Sequence, residues 1–171
     1  HQYPTTVTMP LERRLDLLKQ ANQDDFIIIE DDYESEVNFH ERPLQSLKSM
    51  DQNDRVIYTG SLSKSLSPGL RMGYLVANKA LIKELRVLRR LQYRHPPANN
   101  QSVTALFIGQ GYYDSHLRRM RVIYEMKWSL MSQGIKKHLR SCKIHETKGS
   151  FCFWIGLPAP LLSEDLVRFA S

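Results

Sequence analysis

Apolar and polar positions follow two periods along this chain. Leu11, Leu15, Leu18 and the neighbouring Leu17 mark one face at helical spacing, which predicts a helix to about Ala21. Thr8 is its expected cap, and Pro10 falls in its first turn, where a missing N–H does no harm. Asn22 to Asp25 reads as a turn. Phe26-Ile27-Ile28-Ile29 is then a continuous apolar run, mostly β-branched, of the kind found in strands buried on both faces of a parallel sheet. It stops abruptly at Glu30-Asp31-Asp32-Tyr33. Residues 34–54, with Pro43 and Asp51-Gln52-Asn53-Asp54, read as loop. Arg55 to Thr59 is predicted to be a second buried strand, and Met72 to Ala77 a third. Asn78 to Arg94 reads as a charged amphipathic helix closed by Pro96-Pro97, and Asn99 to Gly109 as a further helix. His116 to about Gln133 is a long helix carrying Leu117, Met120, Ile123, Tyr124, Met126 and Trp128, with a break expected near Gly134. Lys143 to His145 and Phe151 to Ile155 are expected to pair as strands, and Ser163 to cap a final helix.

This alternation of helices and strands places the chain in the α/β class. Roughly 25 residues join the first two strands, enough for the crossover that a parallel pair requires. About a dozen join the second to the third, which is short for such a crossover and points to an antiparallel third strand. Parallel first and second strands would end on the same edge of the sheet, where open α/β sheets bind ligands. One strand would bring Asp31 and Tyr33 to that edge. The other would bring Gly60-Ser61-Leu62-Ser63-Lys64-Ser65-Leu66-Ser67-Pro68-Gly69-Leu70-Arg71. Small hydroxyl residues and an arginine suit a phosphate. A lysine amine that is desolvated and near other cations loses its proton more easily and can attack a carbonyl to form a Schiff base. The stretch therefore suits an aldehyde cofactor on Lys64, with its phosphate on Ser61, Ser63 and Arg71. For pyridoxal phosphate, Asp31 is suited to pair with the pyridine nitrogen and Tyr33 to donate to the phenolic oxygen.

Composition narrows the alternatives. The 171 residues are 42% apolar and 25% charged, ordinary for a globular chain able to bury a core. There is no apolar run near the ~20 residues that span a bilayer, and no signal peptide. Cys142 and Cys152 lack metal-ligand spacing, so a reducing compartment, the cytoplasm, is expected. The net charge of +6 permits an acidic partner without requiring one. Lys83, Arg86, Arg89, Arg90 and Arg94, with Glu84 among them, read as a solvated helix face rather than a DNA contact. Glu30, Asp31, Asp32, Glu34 and Glu36 could suggest a divalent metal, but no phosphoryl-transfer signature accompanies them and no metal is expected. Gly60 to Ser65 matches the end of a P-loop, yet Tyr58 and Ser63 occupy its two required glycine positions, which excludes that reading.

Asp31-Asp32-Tyr33, with Lys64 thirty-three positions after Asp31 and Arg71 seven further on, resembles fold type I pyridoxal-phosphate enzymes, the aspartate aminotransferase superfamily. A closer resemblance is to the aminotransferase-like domain of MocR-type regulators of the GntR superfamily. It is carried by His1-Gln2-Tyr3-Pro4, by Ile29-Glu30-Asp31-Asp32-Tyr33-Glu34-Ser35-Glu36, and by Val56-Ile57-Tyr58-Thr59-Gly60-Ser61-Leu62-Ser63-Lys64. The resemblance covers nearly the whole chain. It implies an α/β, three-layer, mostly parallel sheet. Residues 1–115 would be the C-terminal half of the cofactor-binding large domain, 116–140 a long interdomain helix, and 141–171 the start of a small α+β domain. It implies Lys64 as the Schiff-base lysine, Asp31 at the pyridine nitrogen, Tyr33 at the phenolic oxygen, and Ser61, Ser63 and Arg71 at the phosphate. Asp31 is preferred to Asp32 because alternation points Asp31 and Tyr33 the same way. Two positions depart from the pattern of typical aminotransferases. Tyr3 stands where they have an asparagine, a place where regulators of this type tend to have an aromatic. Thr6 stands where a glycine often follows the Pro-Thr pair.

The chain starts at His1 without an initiator methionine and stops within what reads as a helix, so a fragment of a longer protein is expected. The family's glycine-rich phosphate loop and ring-stacking aromatic would lie upstream of His1. Its carboxylate-binding arginine would lie beyond Ser171. Three functional readings remain. The first is an effector and dimerisation domain of a transcription regulator, sensing an amino acid or amine through an aldimine at Lys64. It would be a homodimer in the full protein, would reach DNA only through a separate winged helix, and would not meet a membrane. The second is a class I/II aminotransferase moving an amino group between an amino acid and a 2-oxo acid, with Lys64 also moving the α-proton. The third is a truncated fragment that binds no cofactor. The identity of the amino compound is not legible in these residues.

Overall fold

The computed structural model describes residues 2–33, 39, 45–95, 97–145, 149–160 and 163–170. His1, Pro43, Pro96 and the motif positions Glu34, Ser35 and Glu36 lie outside the described residues.

The chain opens with α1 (Leu11–Gln23), β1 (Ile28–Asp32), the single turn α2 (Leu47–Met50) and β2 (Val56–Ser61). A 3₁₀ turn at Pro68–Leu70 leads to β3 (Gly73–Val76). Three helices follow, α3 (Lys79–Tyr93), α4 (Ala98–Gly109) and α5 (Tyr112–His138), then β4 (Lys143–His145), β5 (Trp154–Gly156) and α6 (Ser163–Ala170). The architecture is α/β with a mixed sheet of order β1-β2-β3. β1 and β2 run parallel, from Ile28 opposite Val56 to Asp32 opposite Gly60. β3 runs antiparallel to β2, with Tyr58 opposite Val76 and Ser61 opposite Gly73. Both directions follow the link lengths, since only the longer link can carry a crossover. β4 and β5 pair, as expected, and run antiparallel with Ile144 opposite Ile155; β5 starts at Trp154, later than the expected Phe151.

Several local expectations give way to tertiary context. α1 starts after Pro10, not Thr8. The Pro10 carbonyl takes the Arg14 N–H at 3.1 Å, and no side chain caps the helix. Arg14 instead ties neighbouring loops, donating from Nε to the Met9 carbonyl at 2.9 Å and from its guanidinium to the Gln45 carbonyl. β1 begins two residues later than the apolar run and contains its acidic end, because pairing with β2 sets its limits. Nor is the run buried on both faces: Ile29 is 70% exposed. The loop-like stretch before β2 contains α2, a turn too short to show periodicity. Its N-terminal donors Leu47 N and Lys48 N go to the Glu30 carboxylate at 2.8 and 2.9 Å, and Ser46 Oγ accepts from Ser49 N. α5 runs unbroken through Gly134, where a lone glycine costs about 1 kcal/mol relative to alanine, too little to stop a helix of 27 residues.

Asp51 is the staple at the entrance to β2. Its Oδ1 accepts from the N–H groups of Asn53 and Arg55 at 3.1 Å, and its Oδ2 from Val56 N at 2.9 Å and Lys48 Nζ at 3.0 Å. The side chain is 2% exposed. Burial alone pushes its carboxyl up, but the hydrogen bonds from Val56, Arg55, Lys48 and Asn53 favour the charged form more, and the net shift is downward.

Two clusters form the core. Leu18, Leu47 and Val56 join α1, α2 and β2, with Leu17, Ile28 and Met50 packed against them. Leu62, Tyr113 and Leu117 join the segment after β2 to α5, with Leu66, Met72, Phe107, Tyr124 and Phe151 around them. Cys142 and Cys152 are free thiols. Among the described residues, no helix is long and apolar enough to cross a membrane.

Candidate functional site

The parallel register brings the C-terminal ends of β1 and β2 to one edge, Asp31 opposite Thr59 and Asp32 opposite Gly60. Antiparallel β3 starts from that same edge, and Leu62 N donates to the Met72 carbonyl at 3.0 Å. The chain just past Asp31, the turn around Lys64 and the approach through Arg71 are thus neighbours by topology. Gly60 and Gly73 make the strand crossing tight. A Cβ on Gly60 would sit 2.3 Å from the Tyr74 ring, and one on Gly73 would sit 2.8 Å from the Gly60 carbonyl oxygen.

Alternation along β1 separates its carboxylates. Glu30 and Asp32 face the covered side. Glu30 receives the α2 donors, and Asp32 accepts from the Tyr58 hydroxyl at 2.8 Å. Asp31 lies on the other side with Ile29, is exposed, and takes a hydrogen bond from Thr59 Oγ1 at 3.3 Å. That side opens into a cleft of about 630 Å³ lined by Gln2, Thr8, Arg14, Ile29 and Asp31, among others. Tyr33 is half-buried just beyond the strand end.

The Lys64 turn is fixed through its main chain. Leu66 N and Ser67 N both donate to the Leu62 carbonyl, at 2.9 and 3.3 Å, while the Leu62 side chain is 7% exposed in the second core cluster. Ser61 Oγ accepts from Ser63 N at 3.2 Å, a bond that leaves the Ser61 hydroxyl proton uncommitted. Lys64 itself is exposed. Ser67 Oγ caps the 3₁₀ turn by accepting from Gly69 N at 3.3 Å. Arg71 follows in the left-handed region, φ 51° and ψ 44°, a conformation costing a non-glycine residue roughly 1–2 kcal/mol. Its side is braced by α4, where Asn100 Nδ2 donates to the Leu70 carbonyl at 3.4 Å and Thr104 Oγ1 meets Met72 Sδ at 3.5 Å.

Three α5 side chains that the sequence did not mark as site residues also meet the turn. The Tyr113 hydroxyl donates to Ser65 Oγ at 2.9 Å, His116 Nε2 lies 2.9 Å from the Ser65 carbonyl, and the Tyr124 hydroxyl donates to the Lys64 carbonyl at 3.3 Å. Their signal was available: polar-tipped residues at helical spacing on the same stripe as Leu117.

An exposed carboxylate on one parallel strand and an exposed lysine in the turn after the next thus stand towards one edge of an α/β sheet. The family model for Aminotransferase class I and II matches residues 2–168, and the chain belongs to that family. It is 42% identical over 166 residues to the HTH-type transcriptional regulator TauR of Rhodobacter capsulatus, covering 97% of this chain and 34% of that protein. It is 36% identical over 138 residues to the "Probable rhizopine catabolism regulatory protein MocR" of Rhizobium meliloti, covering 81% of this chain and 28% of that protein. Among solved structures, it superposes on a kynurenine aminotransferase of Pyrococcus horikoshii, solved with PMP, KYN and KYA, with a TM-score of 0.90 and 29% identity. That match covers 99% of this chain and 42% of the enzyme. The chain therefore spans about a third of the curated relatives it matches.

Proposed function

We propose that this chain is the aminotransferase-like effector and dimerisation part of a transcription regulator, holding pyridoxal 5′-phosphate at Lys64 and answering to an amino acid or amine. The observation that supports this reading is that parallel β1 and β2 carry Asp31 and the turn bearing Lys64 to the same sheet edge, in a chain similar to helix-turn-helix regulators. The donor set fits the cofactor: a carboxylate, a phenol, two hydroxyls, an amine and a guanidinium, with Asp31, Lys64 and Arg71 exposed. When bound, the cofactor supplies an aldehyde that Lys64 holds as a Schiff base with loss of one water, and a pyridinium that withdraws electrons. Asp31 would keep the pyridine nitrogen protonated. Tyr33 would donate to the phenolic oxygen. Ser61, Ser63 and Arg71 would hold the phosphate, Arg71 by a charge-assisted pair. A primary amine arriving as effector would release the Lys64 amine, and the changed occupancy would pass to a DNA-binding domain outside these residues.

The domain layout proposed with this reading keeps a large-domain portion at 1–115, an interdomain helix at 116–140 and a small-domain portion at 141–171. The exposed side chains of Leu91 and Tyr93 on α3, 76% and 69% exposed, suit the dimer contacts of the full protein. Two free thiols suit a reducing cytoplasm. The likeness to the kynurenine aminotransferase favours a second reading, an amino-group transfer to a 2-oxo acid. The test uses the full-length protein and Lys64→Ala. Loss of both cofactor retention and amine-dependent DNA binding in the variant is the expected result; persistence of both contradicts the reading. Turnover of an amino acid with a 2-oxo acid, lost in Lys64→Ala, would select the enzyme instead.

A further inference from the structure

The carbonyls of Lys64 and Ser65 point out of their own turn, whose internal hydrogen bonds converge on the Leu62 carbonyl. Backbone acceptors near a surface are commonly satisfied by water. Here α5 supplies the donors. Tyr124 donates to the Lys64 carbonyl, His116 Nε2 meets the Ser65 carbonyl, and Tyr113 donates to the Ser65 hydroxyl, whose residue is 2% exposed. A carbonyl only accepts, so His116 carries its proton on Nε2. Two of the anchors are themselves held by aromatic contacts: His116 edge-on to Phe107 at 6.2 Å, and Tyr124 edge-on to Phe151 at 4.8 Å. Lysine has four rotatable bonds, so fixing the backbone at and just after its Cα narrows where its amine can reach. All of these restraints act on the backbone and on Ser65, while the Lys64 side chain is exposed.

We propose that Tyr113, His116 and Tyr124 are positioning residues for Lys64, Tyr124 fastening the peptide that follows it and Tyr113 and His116 fastening the adjoining Ser65, so that the amine is presented towards the sheet edge. This rests on the reading of Lys64 as the cofactor-holding lysine. Through Tyr124 and Phe151, the same fastening joins the turn to the segment leading into β5.

The test uses the full-length protein with pyridoxal 5′-phosphate and follows cofactor affinity together with the pH midpoint of the absorbance band of the lysine-bound cofactor. Tyr113→Phe keeps the ring in the core and removes only the hydroxyl. Ser65→Ala removes its acceptor. Each is expected to weaken cofactor binding about tenfold and to move the midpoint, as loss of one buried hydrogen bond allows. The double variant is expected to be no worse than either single one, because both remove the same bond. His116→Gln, whose amide nitrogen can take the place of Nε2, is expected to stay within about twofold of the parent, while His116→Leu falls with the others. Unchanged affinity and midpoint in Tyr113→Phe and His116→Leu, with Lys64 still trapped by borohydride in the parent, overturns the positioning role alone. So do losses that add fully in the Tyr113→Phe, Ser65→Ala pair. If borohydride traps no cofactor on Lys64 in the parent protein, the cofactor reading fails first and the positioning role falls with it.

Discussion

The two ends of β2 use their polar groups in opposite ways. At the entrance, the Asp51 side chain serves the backbone: it is buried and accepts from three main-chain N–H groups and from Lys48. At the exit, other side chains serve the backbone of the Lys64 turn, and the Lys64 side chain is left exposed. A carboxylate with all its acceptor sites committed has nothing to offer a ligand; its value lies in stability. An exposed amine on a fastened peptide contributes little to stability and can be spared for chemistry. The same contrast separates the three acids of β1: Glu30 and Asp32 are half-buried on protein donors at 2.8–2.9 Å, while Asp31 is exposed and takes one long hydrogen bond from Thr59 Oγ1.

The largest expected effect lies at the entrance. Asp51→Asn turns an amide N–H toward donors that need an acceptor, and is expected to lower stability by about 2–3 kcal/mol in urea denaturation. Borohydride trapping at Lys64 should be unaffected. Because the folded carboxyl titrates below its ordinary value, its stabilisation is fully present above the unfolded value and is lost as pH falls through the folded one. The acid limb of the stability curve should flatten in Asp51→Asn. A limb identical to the parent's would show that the staple is not ionic.

Gly60→Ala is expected to cost about 1–3 kcal/mol, since the new methyl must displace the Tyr74 ring. Adding Tyr74→Ala should recover part of that loss. At the exit the effects on stability should be small. Lys64→Ala is expected to leave stability within about 0.5 kcal/mol, as for other exposed positions. Arg71→Gly relieves a left-handed non-glycine residue but loosens the unfolded chain, so a net change within about 1 kcal/mol is expected. Its cofactor affinity should nonetheless fall about tenfold through loss of a charge-assisted pair. A loss of stability without a loss of affinity would make Arg71 part of the scaffold rather than of the phosphate site.

Chain connectivity was the most legible part of the fold. The link lengths around Arg55 to Thr59 carried the parallel and antiparallel pairings, and alternation placed Asp31 on the side away from Asp32. Helix and strand limits were less legible, because they depend on partners far along the chain. Pairing with β2 drew Glu30, Asp31 and Asp32 into β1, and hydrogen bonds from α2 gave Glu30 a structural task. Of the apolar stripe read on α5, Leu117 packs in the core, beside Tyr113, which lies before the expected start of the helix. What pattern alone could not convey is where the polar tips of Tyr113, His116 and Tyr124 meet the turn, since that contact spans roughly fifty to sixty positions of sequence.

The most direct measurement is peptide mapping of the full-length protein after incubation with pyridoxal 5′-phosphate and reduction with borohydride. The expected result is one stoichiometric phosphopyridoxyl group on Lys64, competed by primary amines and absent from Lys64→Ala. Labelling spread over exposed lysines, or a label on another lysine that persists in Lys64→Ala, would contradict the account.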